Sequence, residues 1–165
     1  MTVAALICAG ITSANAQSET GFSADAYIAE LTEKATRGEI NAQRQLGLLH
    51  MSGTHVQRDY EAAQHWLGKA AASNDIEAQK LLGKLYADGL GTEKDLTKSL
   101  EYYQRAANQG DAIAAAFLGQ AYEKGLGVEK NDATAARWYK EAAEKGDANG
   151  QFGLAGLYYR GSGTV

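Results

Sequence analysis

A step of 36 residues runs through this chain and limits what it can fold into. Leu46, Leu82, Leu118 and Leu154 follow that step, and so do Gly53, Gly89, Gly125 and Gly161. Two further series keep the register: Ala70, Ala106 and Ala142, each followed by a second alanine, and the aromatic positions Trp66, Tyr102 and Trp138. A period of about 20–50 residues marks a stacked array, in which each supersecondary unit is too small to bury its own apolar face and relies on its neighbours. The units read as 38–73, 74–109 and 110–145, with a partial unit 146–165.

Each unit reads as two helices. In the third, Ala114, Leu118, Ala121, Tyr122 and Gly125 form one helical stripe, and Ala135, Trp138, Tyr139 and Ala142 form a second. Between them lies a recurring Gly-x-Gly. Gly89, Gly125 and Gly161 are expected to end the first helix in a left-handed cap, and Gly91, Gly127 and Gly163 to let the chain reverse. Asp59, Asp95 and Asn131 then cap the second helix. In the first unit His55 replaces the second glycine, which predicts a slightly different hairpin there. Gly38, Asn74, Gly110 and Gly146 are placed to end each preceding helix, and Glu39, Asp75, Asp111 and Asp147 follow directly; the three aspartates are good N-caps. A phosphate-cradling role for Gly-x-Gly does not fit, because a helix precedes it and no Lys-Ser/Thr follows. The paired alanines predict close helix contacts that a larger side chain would prevent.

Composition narrows the function. The chain has 165 residues, 45% hydrophobic and 22% charged, which is a globular balance. A net charge of −4 offers no basic surface to neutralise a phosphate backbone, so nucleic acid is not an expected partner. The apolar run Val3 to Ile11 is too short to span a bilayer, and Ala14-Asn15-Ala16 has the small-x-small pattern that precedes signal-peptide cleavage. Residues 1–16 therefore read as a signal peptide, 17–37 as an N-terminal capping helix, and the destination as periplasmic or secreted. A buried N-terminal helix is the alternative for 1–16. No Lys or Arg follows Met1, which points to a native start upstream. Cys8, the one cysteine, is preceded by Ile7, a poor fit to a lipidation site. Cleavage after Ala16 would leave no cysteine for a disulfide, a thiol nucleophile or a thiolate metal site.

Catalytic patterns fit the sequence poorly. His50, His55 and His65 lie close in sequence but point in different directions on the helical stripes, so structural or solvated roles fit better than a metal site. No HExxH, GxSxG or P-loop occurs. Carboxylates fall mainly at caps and exposed faces. No cofactor is expected.

The pattern A-x-x-x-L-G-x-x-Y-x-x-G-x-G-V-x-x-D followed by A-x-x-W-Y-x-x-A-A-x-x-G-D resembles the Sel-one-like repeat (SLR) family, relatives of the tetratricopeptide repeats. Unit three carries it best, in Ala114, Leu118, Gly119, Tyr122, Gly125, Gly127, Val128, Ala135, Trp138, Tyr139, Ala142, Ala143, Gly146 and Asp147. The resemblance covers about residues 38–165. It is specific, since a tetratricopeptide array steps by about 34 residues and usually ends its unit near a proline, and this chain has none. Unit one departs from it, with His50 for Tyr, His55 for Gly and Leu67 for the second aromatic residue. What the resemblance implies is an all-α fold, an α/α right-handed superhelical solenoid, acting as a non-enzymatic adaptor for protein partners. Some cysteine-rich secreted members are linked to penicillin binding and weak β-lactam hydrolysis, so an envelope enzyme or ligand-binder acting on peptidoglycan or β-lactams is the second expectation. In the partial unit the face carrying Leu154, Leu157 and Tyr158 is expected to be partly uncovered, either for completion by further units or as an interaction surface.

In superhelices of this kind the first helices line the concave side. Residues there that vary between units are free to specialise. They are Arg44, Leu48, Met51 and Ser52 in unit one; Lys80, Lys84, Ala87 and Asp88 in unit two; Ala116, Gln120, Glu123 and Lys124 in unit three; Phe152, Gly156, Tyr159 and Arg160 in unit four. From these, Arg44, Leu48, Met51, Lys80, Lys84, Asp88, Gln120, Glu123, Phe152 and Tyr159 are the candidate protein-binding residues. Their mixture of basic, apolar and aromatic groups suits a peptide or protein segment. The alternative is an ordinary exposed face on a scaffold that binds elsewhere.

Overall fold

The computed structural model describes residues 23–162. The signal-like segment 1–16 with Cys8, and Gly163, lie outside the described residues. Those described form eight helices and no strand: α1 (Ala24–Thr36), α2 (Ile40–Ser52), α3 (Tyr60–Ala72), α4 (Ile76–Asp88), α5 (Leu96–Asn108), α6 (Ala112–Lys124), α7 (Asp132–Glu144) and α8 (Ala148–Tyr159). Three hairpins, α2–α3, α4–α5 and α6–α7, repeat every 36 residues, with α1 before them and α8 after. The fold is all-α, a solenoid of helix pairs. No helix among the described residues is long and apolar enough to cross a membrane.

Helix ends follow from local chemistry. Gly53, Gly89 and Gly125 cap α2, α4 and α6 in the left-handed conformation, each N–H returning to the carbonyl four residues back. Asp59, Asp95 and Asn131 then accept from the backbone N–H three residues on, opening α3, α5 and α7. Each hairpin is closed by one more bond, from the N–H of that cap to the carbonyl of His50, Tyr86 or Tyr122. His55 keeps a left-handed φ of 62° although it is not glycine. The hairpin keeps its turn and accepts the strain.

Between units the chain turns in two residues. Gly38, Asn74, Gly110 and Gly146 all have positive φ. The residue after each donates its N–H to a carbonyl five positions back, as from Asp75 to Ala70 and from Asp111 to Ala106. Asp75, Asp111 and Asp147 cap the next helix through their side chains, whereas Glu39 makes no such bond.

Packing joins each second helix to the first helix of the next unit. Ala106 and Ala107 from α5 share a core with Ala114, Leu118 and Ala121 from α6, and Ala142 from α7 completes it. Within hairpins the Leu-Gly pair sets the spacing: a methyl group added at Gly47, Gly83 or Gly119 would stand 2.5, 2.7 or 2.6 Å from the side chain of Leu67, Tyr103 or Tyr139. Two buried glutamines bridge units, Gln43 Nε2 donating to the Ala35 carbonyl and Gln79 Nε2 to that of Ala71. In unit three the same register holds Ala115, and that bridge is gone. Leu157, expected on a partly uncovered face, is fully buried against Ala135, Ala136 and Tyr139, with Leu154 half-buried beside it and Tyr158 exposed. Trp66, first of the aromatic series, is half-buried.

Candidate functional site

The varying stripe of α2, α4, α6 and α8 divides into residues engaged within the scaffold and residues open to solvent. Arg44 pairs with Asp75. Lys80 Nζ lies 3.0 Å from Asp111 Oδ2 and 2.9 Å from Glu77 Oε2. Asp75 and Asp111 are the N-caps of the following unit, so one carboxylate oxygen caps a helix while the other takes a cation from the unit before. Burial lowers the Lys80 pKa, but the hydrogen bonds to Asp111 and Glu77 outweigh it and hold the ammonium above its ordinary value. Arg44 and Lys80 thus act as joints between units. Met51 is half-buried against the cluster of Ala63, Leu67 and Leu85. Leu48, Lys84 and Asp88 face solvent.

At the third junction the joint is missing. Ala116 stands where Arg44 and Lys80 stand, and Asp147 caps Gly150 with no cation beside it among the described residues. Packing there changes too. One junction earlier the Phe117 ring stacks on Tyr103 with centroids 4.0 Å apart. The position equivalent to Phe117 is Gly153, whose backbone lies directly on the Tyr139 ring: an added Cβ would be 2.5 Å from ring carbons. With no ring between them, α8 closes on α6, whereas α2 with α4 and α4 with α6 barely meet.

A cleft of about 460 Å³ opens between α6 and α8. Its floor is Ala116, Gly153 and Gly156, which put no bulky side chain into it. Ile113, Phe117 and Phe152 give it apolar walls. Phe152 is 83% exposed and Ile113 58% exposed. Gln120 and Asn149 add two amides. At the C-terminal ends of the two helices, Tyr139 Oη donates to Glu123 Oε2 at 2.7 Å, and Arg160 pairs with the other Glu123 oxygen. Burial, then the bond to Glu123, pushes the Tyr139 phenol well above its ordinary pKa. Lys124 completes the rim.

Of the expected residues, the structure brings Gln120, Glu123 and Phe152 together in this cleft. Glu123 is already engaged as a brace between α6 and α8. Tyr159 is 94% exposed but lies outside the lining, one helical position from Arg160, which lines it. Sequence reasoning missed Ile113 and Asn149, one turn before the stripe. Ile113 left a signal, an isoleucine one turn before Ala116 and Phe117; Asn149 left none. Elsewhere, His50 is half-buried with its Nδ1 enclosed and without a partner, and His65 meets Trp66 edge-on at 5.1 Å. Among the described residues no group of three His, Cys, Asp or Glu could hold a metal ion.

This helix-pair geometry has known counterparts. The sequence model of the Sel1 repeat matches residues 40–75, 76–111, 112–147 and 148–165, and the chain belongs to the Sel1 repeat family. Proteins of this family commonly serve as protein-interaction scaffolds. Among solved structures, it is similar to c5321, described as a protective antigen present in uropathogenic Escherichia coli strains and displaying an SLR fold, with TM-score 0.83 and 33% identity. That likeness covers 86% of this chain and 30% of c5321. A Sel1 repeat protein from Oxalobacter formigenes gives TM-score 0.81 and 35% identity over 86% of this chain and 58% of its own. The chain therefore spans less than two thirds of either. Cysteine rich protein B of Helicobacter pylori is alike in fold, with TM-score 0.60 and 24% identity over 76% of this chain and 95% of that protein. No curated protein sequence matches the chain.

Proposed function

We propose that this chain is an exported, non-enzymatic adaptor that holds a protein or peptide partner on the solvent-facing stripe of its first helices. The observation that carries the reading is the cleft between α6 and α8, where Phe152 and Ile113 stand exposed beside unpaired amides. Large apolar side chains kept in solvent at a concave site gain most when a partner covers them. The Sel1 repeat framework supports the scaffold role. Export is supported by the apolar run and Ala14-Asn15-Ala16. Sequencing the mature N-terminus by mass spectrometry is expected to begin at Gln17; a retained residue 1–16 segment would contradict export.

The test of the scaffold role is affinity capture from cell-envelope extract by the full chain, beside a variant carrying Lys84→Glu, Phe152→Ala and Tyr159→Ala. Lys80 is left intact, because Glu77 and Asp111 hold it in the fold. Circular dichroism first establishes that both are equally helical. Retention of a protein by the first and its loss from the second is the expected result. Equal retention by both places the contact off this face. Turnover of a β-lactam by the full chain would overturn the non-enzymatic part of the proposal.

A further inference from the structure

Resting on the adaptor reading, we infer that the α6–α8 cleft takes an acidic peptide segment that inserts one bulky apolar side chain between Ile113 and Phe152. Three charged side chains rim the cleft: Glu123, Lys124 and Arg160. Glu123 is used twice within the protein, by the Tyr139 hydroxyl and by Arg160, so it offers no uncompensated negative charge to a partner. Lys124 has no carboxylate within ion-pair distance among the described residues. One uncompensated positive charge therefore remains, on a chain whose net charge is −4. One unit earlier on the same stripe, Lys84 is exposed and likewise forms no ion pair, with Asp88 one turn further along α4 as the opposing group. A partner with carboxylates complements Lys84 and Lys124; a basic partner meets repulsion at the C-terminal end of the cleft.

Shape and hydrogen bonding point the same way. At about 460 Å³ the cleft is large enough for one large side chain with its flanking main chain. Gln120 and Asn149 make no side-chain hydrogen bond among the described residues, and each can both donate to and accept from an extended peptide backbone. At the preceding junction the protein fills the corresponding register with its own Phe117. At α8 that register is Gly153, closed against the Tyr139 ring, and the open space lies beside Gly156 and Ala116, where an aromatic or aliphatic side chain from outside covers Phe152 and Ile113.

The test is selection of random dodecapeptides, displayed on phage, against the full chain, followed by fluorescence anisotropy on the winning peptides. Winners are expected to carry Asp or Glu around a Phe, Trp, Tyr or Leu. Lys124→Glu and Phe152→Ala should each weaken them about tenfold or more, and added salt should weaken them further. Lys140→Glu, a charge change on α7, should leave affinity unchanged. Winners that lack acidic residues, or that bind both cleft variants as tightly as the parent, overturn the inference. Peptides lost on Lys84→Glu but kept by Phe152→Ala overturn it too, while leaving the adaptor reading intact. So does self-association abolished by Phe152→Ala, which would make a second copy the occupant. A partner captured from envelope extract with no winning peptide would also overturn it, because that partner then binds through a folded surface.

Discussion

Gly91 and Gly127 show how one residue serves both a turn and a stack. Each has a positive φ, and a methyl group at Gly91 would stand 2.7 Å from the carbonyl carbon of Tyr60, the first residue of α3 in the unit before. Gly91→Ala meets strain and collision together and should destabilise the chain by about 1–3 kcal/mol, read by urea titration. His55 holds the same turn at φ 62° and is exposed, so His55→Gly should change stability by less than about 1 kcal/mol, relief of strain offsetting the added freedom of the unfolded chain. The turn role was legible in the sequence, since a positive φ selects glycine locally. Its contact with Tyr60 was not, because that lies in another unit. Tyr103 gives a pH prediction at the same scale. Burial, helped by the charge of Asp88, pushes its phenol up to about 12. An unfolded tyrosine ionises near 10, so its contribution is intact below about pH 10 and is lost as pH rises toward 12, by roughly 1 kcal/mol per pH unit. Urea titrations at pH 9 and pH 11 should show that loss, and Tyr103→Phe should reduce it.

At the scale of elements, the N-cap aspartates matter most. Helix starts and stops could be read directly, because capping is decided within a few residues. The second use of Asp75 and Asp111, as acceptors for Arg44 and Lys80, joins groups 31 residues apart and leaves no local signature. Read one helix at a time, Arg44 and Lys80 look like free recognition groups. Asp111→Asn keeps the cap and removes the charge, so it should cost about 0.5–1 kcal/mol, and the difference should shrink as salt is added. Gly153→Ala tests the packing of α8. Its Cβ would fall 2.5 Å from the Tyr139 ring, so α8 must move away from α7. The expected result is a loss of about 1–3 kcal/mol together with weaker partner binding. A variant as stable as the parent would contradict the contact described between Gly153 and Tyr139.

The whole molecule is one motif repeated, with each junction built slightly differently. Periodicity exposed the stacking, since a 36-residue register survives in the core positions that hold units together. The cleft was only half legible. Its exposed residues lay on the varying stripe, but it exists because Ala116, Gly153 and Gly156 are small at one junction and Tyr139 moves onto Gly153. That is a property of two units in contact, visible only once both are in place. Partner binding should accordingly be centred on the last junction and not spread evenly along the array. Hydrogen–deuterium exchange of the full chain, alone and with its captured partner, tests this most directly. Added protection is expected in α6 and α8, around residues 113–124 and 149–160, with α3 and α5 unchanged. Protection concentrated in α3, α5 and α7 would place the partner on the second helices and contradict it.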